Sequence, residues 1–200
     1  MKEWPPNGEL ATMIASHFPP GYEGYAVDVG ASDGISISST FPLEKEDRWT
    51  ILCVEPNPVF WPRLKELRAF VVGCACDAEP AESMPFYVWK DNPDAYSSLR
   101  PSHPEHPLSA GGYSVIEVPV KTLDQVLVEA EFPQLDAACI DVEGTDLDVL
   151  KGLNLLHWKP RVVVVESWAE ENPALEQYLA ARGYSKIKRF VDNLILVRNG

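Results

Sequence analysis

The sequence predicts an α/β protein in which helices cover both faces of a mostly parallel sheet. Short apolar runs recur along the chain and alternate with helical patterns. The runs are apolar throughout instead of at every second residue, which is typical of parallel strands buried on both faces. The chain has 200 residues, 46% of them hydrophobic, and it shows no internal repeat. We therefore expect a single domain over residues 1–200.

Five apolar runs predict the parallel strands. In chain order they cover residues 25–29, 50–54, 70–76, 137–142 and 161–165. Two later runs, residues 186–190 and 193–197, are separated by two residues and predict an antiparallel hairpin that closes the sheet.

Helical patterns fill the gaps between the strands. A helical lead-in occupies residues 1–24, with its helix at 9–18, and a second helix at 58–68 follows the second strand. Thr122 and Gln125 form a capping box before a helix at 126–131. Thr145 is the predicted cap of a helix at 146–156, and the last helix opens at Asn172-Pro173 and ends at Gly183.

Residues 78–120 interrupt the alternation between the third and fourth strands. They contain two strand-like pieces, at 85–90 and 114–120, joined by a loop rich in Pro, Ser, His and Gly. Such a long connection is usually functional or mobile, so we predict a substrate cap, with a disordered surface insertion as the alternative. His103 and His106 are candidates for a mobile base within it. Candidates for an apolar wall beside the substrate are Tyr87, Trp89, Tyr96 and Tyr113.

Charge and cysteine content exclude several classes of protein. A formal net charge of −13 repels phosphate backbones and disfavours a nucleic-acid partner. The apolar stretches are too short to cross a membrane, and the first ten residues lack the apolar region of a signal peptide. The four cysteines lie within strand-like runs, and Cys74 and Cys76 lack a second ligand pair for zinc. We expect buried free thiols and a cytoplasmic protein.

The ends of the first three strands predict a nucleoside site. Gly30 and Gly34 allow a sharp turn after the first strand, but the spacing is not G-x-G-x-x-G, which argues against a bound pyrophosphate and against a dehydrogenase. Glu55 ends the second strand, where an acid can accept hydrogen bonds from both ribose hydroxyls. Asp77 follows the third strand and is a candidate acceptor for an adenine amino group.

Five segments together resemble the FkbM-type methyltransferases. They are VDVGASDG, CVEPNP, KTLDQVL, CIDVEGTDLDVLKGL and VVVVES, and the resemblance extends from Tyr25 to Val197. It implies a Rossmann-like class I fold with a seven-stranded sheet, S-adenosylmethionine as the cofactor, and methylation of a hydroxyl oxygen on a sugar or natural product. The expected partner is therefore a small-molecule or glycan acceptor, and the sequence leaves a homo-oligomer open.

The resemblance also assigns residues to the cofactor site. The turn is matched by Asp28, Gly30, Ala31 and Gly34, the ribose acid by Glu55, and the adenine contact by Asp77; Ser32 and Pro56 belong to the same two motifs. Two positions depart from the family pattern. Ser32 stands where the family usually has Asn, and Cys139 stands where a Lys usually precedes Ile-Asp.

Three acids at the ends of the fourth and fifth strands are the candidate catalytic residues: Asp141, Glu143 and Glu166. Asp141 and Glu166 are candidate ligands of Mg²⁺, which would lower the pKa of the acceptor hydroxyl. Alternatively, Asp141 or Glu143 acts as a general base. Both acids also have structural explanations, since Asp141 can hold the cofactor ammonium and Glu143 can cap a helix. The alternative function is a non-catalytic nucleoside-binding module, or a subunit of an assembly with the same fold.

Overall fold

A seven-stranded sheet forms the centre of the computed structural model, which describes residues 7–36, 38–46, 48–90, 96–100, 112–168 and 172–200. The described strands are β1 (Tyr25–Val29), β2 (Thr50–Val54), β3 (Phe70–Val72), β4 (Ala75–Cys76), β5 (Ala81–Trp89), β6 (Tyr113–Lys121), β7 (Ala137–Ile140), β8 (Val162–Glu166), β9 (Tyr184–Phe190) and β10 (Asn193–Arg198). The described helices are α1 (Asn7–Ala15), α2 (Phe41–Glu46), α3 (Trp61–Leu67), α4 (Leu123–Glu129), α5 (Asp146–Lys151), α6 (Leu155–Trp158) and α7 (Pro173–Ala180).

The order of strands in the large sheet is β3-β2-β1-β7-β8-β10-β9. Strands β3, β2, β1, β7 and β8 pair in parallel, and β10 is antiparallel to both of its neighbours. The predicted mostly parallel sheet and its closing hairpin are therefore confirmed. The order changes direction between β1 and β7, and ligands bind at such switch points in open α/β sheets.

Both faces of the sheet are covered by helices, because successive side chains of each strand point to opposite faces. On β8, Val163 and Val165 pack with side chains of α4, α5 and α7. Val162 and Val164 face the other way and pack with side chains of α1, α2 and α3. This arrangement explains why the predicted strands are apolar at every position.

A second sheet of three strands, in the order β4-β6-β5, packs beside the large one. Strands β5 and β6 pair antiparallel, and β4 pairs in parallel with β6. Its own apolar cluster contains Phe86, Leu99, Val118 and Val120. Most of residues 78–120 that the structure describes belong to this small sheet, and we call those residues the insertion.

The prediction of one strand over residues 70–76 is wrong, because the chain leaves the large sheet after Val72 and enters the small sheet at Ala75. The Trp61 ring lies against Gly73, so closely that a Cβ atom on Gly73 would come within 2.5 Å of it. This contact packs the segment between β3 and β4 against helix α3.

The prediction of one helix over residues 146–156 is also wrong. Helix α5 ends at Lys151, and α6 begins after Asn154, whose side chain accepts hydrogen bonds from the backbone of Leu156 and His157. Thr145 makes no side-chain capping bond. The Thr122–Gln125 capping box and the Asn172 cap are both present, as predicted. However, the helix predicted to begin at residue 58 begins at Trp61, and the helix predicted to begin at residue 126 begins at Leu123. Helix α2 was not predicted.

All four cysteines are free and buried, as predicted. Among the described residues, the structure contains no helix with the length and apolar character needed to cross a membrane.

Candidate active site

A pocket opens where the carboxyl ends of β1, β2 and β7 meet the small sheet. It encloses about 590 Å³ of space, including solvent at its mouth, a size typical of sites for small molecules. Of the predicted site residues, the pocket is lined by Gly30, Ser32, Glu55, Pro56, Asp141 and Glu143. The insertion and the segment before it also contribute lining residues that sequence reasoning missed: Cys74, Ala75, Cys76, Phe86, Ser97 and Leu99.

Gly30 forms the floor of the pocket, at the switch point between β1 and β7. Its backbone N–H donates to the carbonyl of Val54, 2.9 Å away. Its φ of +86° suits glycine, and a Cβ atom here would lie 1.8 Å from the carbonyl oxygen of Asp141. Only glycine fits between these two strand ends, because any other residue would collide with the backbone of the neighbouring strand.

Glu55 is buried at the pocket wall, and its carboxylate is fixed by backbone donors. The Ser32 N–H donates to Oε2 at 2.8 Å, and the Asn57 N–H donates to Oε1 at 2.7 Å. Ser32 itself has a positive φ of 48°, which turns its N–H toward the acid. A carboxylate can accept several hydrogen bonds, and these two hold the Glu55 carboxylate in place at the pocket wall.

Asp28 lies behind the turn and does not line the main pocket. It accepts hydrogen bonds from the hydroxyls of Ser38 and Thr40, at 2.7 and 2.6 Å. Arg68, whose side chain is fully buried, donates to Thr40 Oγ1 and to the carbonyl of Gly34, both at 2.7 Å. This network braces the residues that follow the turn. Sequence reasoning missed Arg68 because its partners are about 30 residues away.

Ala31 and Gly34 shape the turn without lining the pocket. The Ala31 N–H donates to the Val54 carbonyl at 3.2 Å, and the Gly34 N–H donates to the Ala31 carbonyl at 2.8 Å. Gly34 has a φ of +78° and lies against Leu64 of α3, so closely that a Cβ atom would come within 2.6 Å of that side chain. Both residues support the positions of Gly30 and Ser32.

Asp77 is buried and is not among the residues that line the main pocket. Its carboxylate pairs with Arg100 and accepts a hydrogen bond from the Ala78 N–H. Asp77 follows β4 of the small sheet, because the predicted third strand breaks before it. In the structure, therefore, Cys74, Ala75 and Cys76 occupy the pocket wall where sequence reasoning placed Asp77.

Asp141, Glu143 and Glu166 come together at the edge formed by β7 and β8. One carboxylate oxygen from each residue lies within 4.8 Å of those of the other two. Glu143 and Glu166 are buried, and the Oε2 atom of each lacks a hydrogen-bond partner within the described part of the chain. Glu143 Oε1 accepts from the Tyr96 N–H at 2.9 Å. We call these three residues the acid cluster.

Burial and mutual repulsion raise the pKa values of the whole acid cluster. Burial, with repulsion from Asp28, raises the pKa of Asp141 to about 6, although a hydrogen bond with Glu166 acts in the opposite direction. Burial, with repulsion from Asp141, raises the pKa of Glu143 and of Glu166 well above the usual range. Asp141 is partly exposed as a residue, but its carboxyl group is surrounded by protein. The cluster therefore favours either bound protons or a bound cation.

Asp146 holds the loop that carries two of these acids. Its carboxylate accepts from the backbone N–H groups of Val142 and Gly144, both at 3.1 Å. Burial, with repulsion from Asp141, raises the pKa of Asp146 to about 7. The spacing in VEGTD is the sequence signal for this contact, because an Asp can bond to backbone donors a few residues away.

Of the four aromatic residues predicted to form a wall, Tyr96 lines the pocket. Its ring packs edge-on against Trp89 at 4.9 Å and against Trp168 at 5.5 Å between centroids. Tyr87 and Tyr113 pair with each other across β5 and β6, at 5.2 Å. The predicted bases His103 and His106 lie outside the described residues.

The large sheet, with its antiparallel closing hairpin and a pocket at the switch point, defines a class I methyltransferase fold. The family model for the methyltransferase FkbM domain matches residues 28–186. The chain therefore belongs to the FkbM methyltransferase family, and it is a methyltransferase domain.

The chain is similar to two known proteins. Methyltransferase sdnD of Sordaria araneosa is 28% identical, over 80% of this chain and 73% of that protein. The crystal structure of methyltransferase FkbM from Methylobacillus flagellatus KT superimposes with a TM-score of 0.57 at 16% identity, covering 88% of this chain. This chain spans 43% of the length of that protein. At this identity the likeness shows the shared fold alone.

Proposed function

We propose that this chain transfers a methyl group from S-adenosylmethionine to a hydroxyl oxygen of a small carbohydrate-like or secondary-metabolite acceptor. The fixed carboxylate of Glu55 is the observation that carries the proposal. Two backbone N–H groups hold it at the pocket wall, 2.7 and 2.8 Å from its oxygens, so it is set in advance to accept from adjacent ribose hydroxyls. Preorganised acceptors of this kind bind without a reorganisation cost.

The donor supplies an electrophilic methyl group on a sulfonium ion. The chain has to orient the acceptor oxygen toward that methyl group and accept the proton that the acceptor loses. Gly30 lets a ligand approach the backbone at the switch point, directly beside Asp141. In this proposal, Glu55 binds the methyl donor and the acid cluster binds the acceptor.

Asp141 is the residue we assign as general base. A pKa of about 6 leaves its carboxylate mostly ionised at neutral pH and basic enough to take a proton from a hydroxyl in the transition state. Burial and repulsion from Asp141 raise the pKa values of Glu143 and Glu166 well above the usual range, which favours the protonated form of each acid. A protonated Glu143, which lines the pocket, can donate a hydrogen bond to the acceptor and orient it.

Mg²⁺ is the second candidate for activating the acceptor. The donor set fits this ion, because Asp141 and Glu166, together with Glu143, offer closely spaced carboxylate oxygens. Two of those groups have a buried oxygen that lacks a hydrogen-bond partner in the described chain. A metal held there would lower the pKa of the acceptor hydroxyl.

The nature of the acceptor is proposed on charge and on the family. A net charge of −13 disfavours nucleic acid, so we propose a small molecule or a glycan.

Four free buried thiols support a reducing compartment, and we propose the cytoplasm.

The test is calorimetric titration of the chain with S-adenosylhomocysteine, with and without Mg²⁺. We expect binding that Glu55→Ala weakens by about 1–3 kcal/mol, because the ribose hydroxyls lose a buried partner. Glu82→Ala, an exposed acid on β5, is the control and should bind like the wild type. A separate heat of Mg²⁺ binding that Glu166→Gln removes would favour the metal, and its absence would favour Asp141 as base. A chain that binds no S-adenosylhomocysteine would instead support a non-catalytic module.

A further inference from the structure

One short segment, residues 96–100, contributes to the wall of the pocket that Gly30 and Glu55 also line. Tyr96, Ser97 and Leu99 line the pocket. Leu99 is buried in the apolar cluster of the small sheet. Ser98 exchanges two backbone hydrogen bonds with Tyr87 of β5, at 2.9 and 3.0 Å. These contacts fasten the segment to the small sheet.

The same segment also contacts the loop that carries the acid cluster. The Tyr96 N–H donates to Glu143 Oε1 at 2.9 Å, and Ser98 Oγ lies 3.4 Å from the carbonyl oxygen of Val142. The segment therefore lies between the small sheet and the end of β7. It therefore bounds the pocket between these two parts of the molecule.

Arg100, at the end of the segment, forms ion pairs with both the small sheet and helix α5. Its Nη2 pairs with Asp77, which follows β4 of the small sheet. Its Nη1 lies 3.1 Å from Oδ2 of Asp148, in helix α5 beyond the acid cluster. The planar fork of a guanidinium can bridge two carboxylates in fixed directions, which a lysine ammonium does less well.

The two partners of the Arg100–Asp77 ion pair differ in burial. The Asp77 side chain is 6% exposed and that of Arg100 is 42% exposed. Removing Arg100 would leave the buried carboxylate of Asp77 without its cation, close to the carboxylate of Asp148. An uncompensated buried charge is strongly unfavourable. The small sheet and helix α5 would therefore move apart, or water would enter between them.

We infer that Arg100 is a positioning residue that sets the donor pocket by clamping the small sheet to helix α5. This rests on the proposed function of the pocket. It also assigns Asp77 the role of anchor for the clamp.

The experiment compares Arg100→Ala, Arg100→Lys and Lys151→Ala with the wild type. Lys151 is the matched control, because it pairs with the other oxygen of Asp148 at 2.8 Å but does not contact the wall segment. We expect Arg100→Ala to raise the Kd for S-adenosylhomocysteine at least about fivefold. Arg100→Lys should recover part of the affinity, and Lys151→Ala should bind like the wild type. Hydrogen exchange at residues 96–100 should accelerate in Arg100→Ala without ligand.

Several results would overturn the inference. One is wild-type affinity and wild-type exchange in Arg100→Ala. Another is lost binding in Arg100→Ala with unchanged exchange and no recovery in Arg100→Lys, since that would place Arg100 in direct contact with the ligand. If the wild type does not bind S-adenosylhomocysteine, the proposed function fails, but faster exchange in the free Arg100→Ala variant would still support the clamp.

Discussion

Gly30 and Glu55 show which site residues a sequence can predict. Both contact the backbone of residues that are a few positions away or on a neighbouring strand. Because each lies at the end of a predicted strand, the sequence pattern is enough to identify it as a site residue. The ion pair of Asp77 with Arg100 has no such signal. The two residues are 23 positions apart and meet because the chain changes sheets at Gly73. Tertiary contacts of this kind decide which acids face a pocket.

At the residue scale, we predict that Gly30→Ala removes ligand binding as well as stability. A Cβ atom at this position would meet the Asp141 carbonyl, and φ is positive, so the strand ends must separate. We expect a loss of several kcal/mol in the free energy of unfolding, about 2–4 by urea denaturation, and no measurable titration with S-adenosylhomocysteine.

Gly183→Ala is the matched control for Gly30→Ala. Its φ of +83° is similar, but a Cβ atom there would have no neighbour within 4 Å. It should cost only the strain of a left-handed residue, about 1 kcal/mol, and leave the affinity unchanged. Equal effects of the two substitutions would contradict the importance of the Asp141 contact.

At the scale of elements, the strands were predicted well because burial on both faces leaves an apolar run at each of them. Their ends were predicted less well. At the break near Gly73 the Trp61 ring packs against the chain, a contact between residues 12 positions apart that no local pattern predicts. The break between α5 and α6 lies at the Asn154 cap, whose bonds to Leu156 and His157 are local, so the sequence does carry a signal for it. Helix caps are only partly predictable from the sequence, because the same residue type, Thr, caps α4 but not α5.

Thr122 and Thr145 provide a direct test of capping. Thr122 accepts a hydrogen bond from the Gln125 N–H at 3.2 Å, whereas Thr145 makes no side-chain capping bond. We expect Thr122→Val to lower the free energy of unfolding by about 1 kcal/mol. Thr145→Val, which removes no capping bond, should lower it by less than Thr122→Val does. Urea denaturation measures both, and a larger loss for Thr145→Val would argue against this account.

At the scale of the whole molecule, the buried acids make stability depend on pH. Asp146 has a pKa of about 7 in the folded chain against an ordinary value of 3.8. The folded state therefore holds a proton that the unfolded chain releases between about pH 4 and 7, so the free energy of unfolding falls as pH rises through this range. The contribution is on the order of 2–4 kcal/mol.

Asp146→Asn isolates this contribution. The amide cannot ionise, and its oxygen can still accept from one of the two backbone donors, Val142 or Gly144. We expect the variant to lose less stability than the wild type between pH 4 and 7 in urea denaturation. A variant with the same pH dependence as the wild type would show that Asp146 is ionised in the folded state throughout this range.

The chain enters the insertion through β4 and leaves it through β6, and these two strands are paired. Ala75 of β4 is hydrogen-bonded beside Val120 of β6, so both junctions sit about one strand spacing, roughly 5 Å, apart. A loop with neighbouring ends can be lengthened, shortened or exchanged while the large sheet stays intact. Changes in the insertion can therefore reshape the side of the pocket formed by Phe86 and Leu99 without altering the side formed by Gly30 and Glu55.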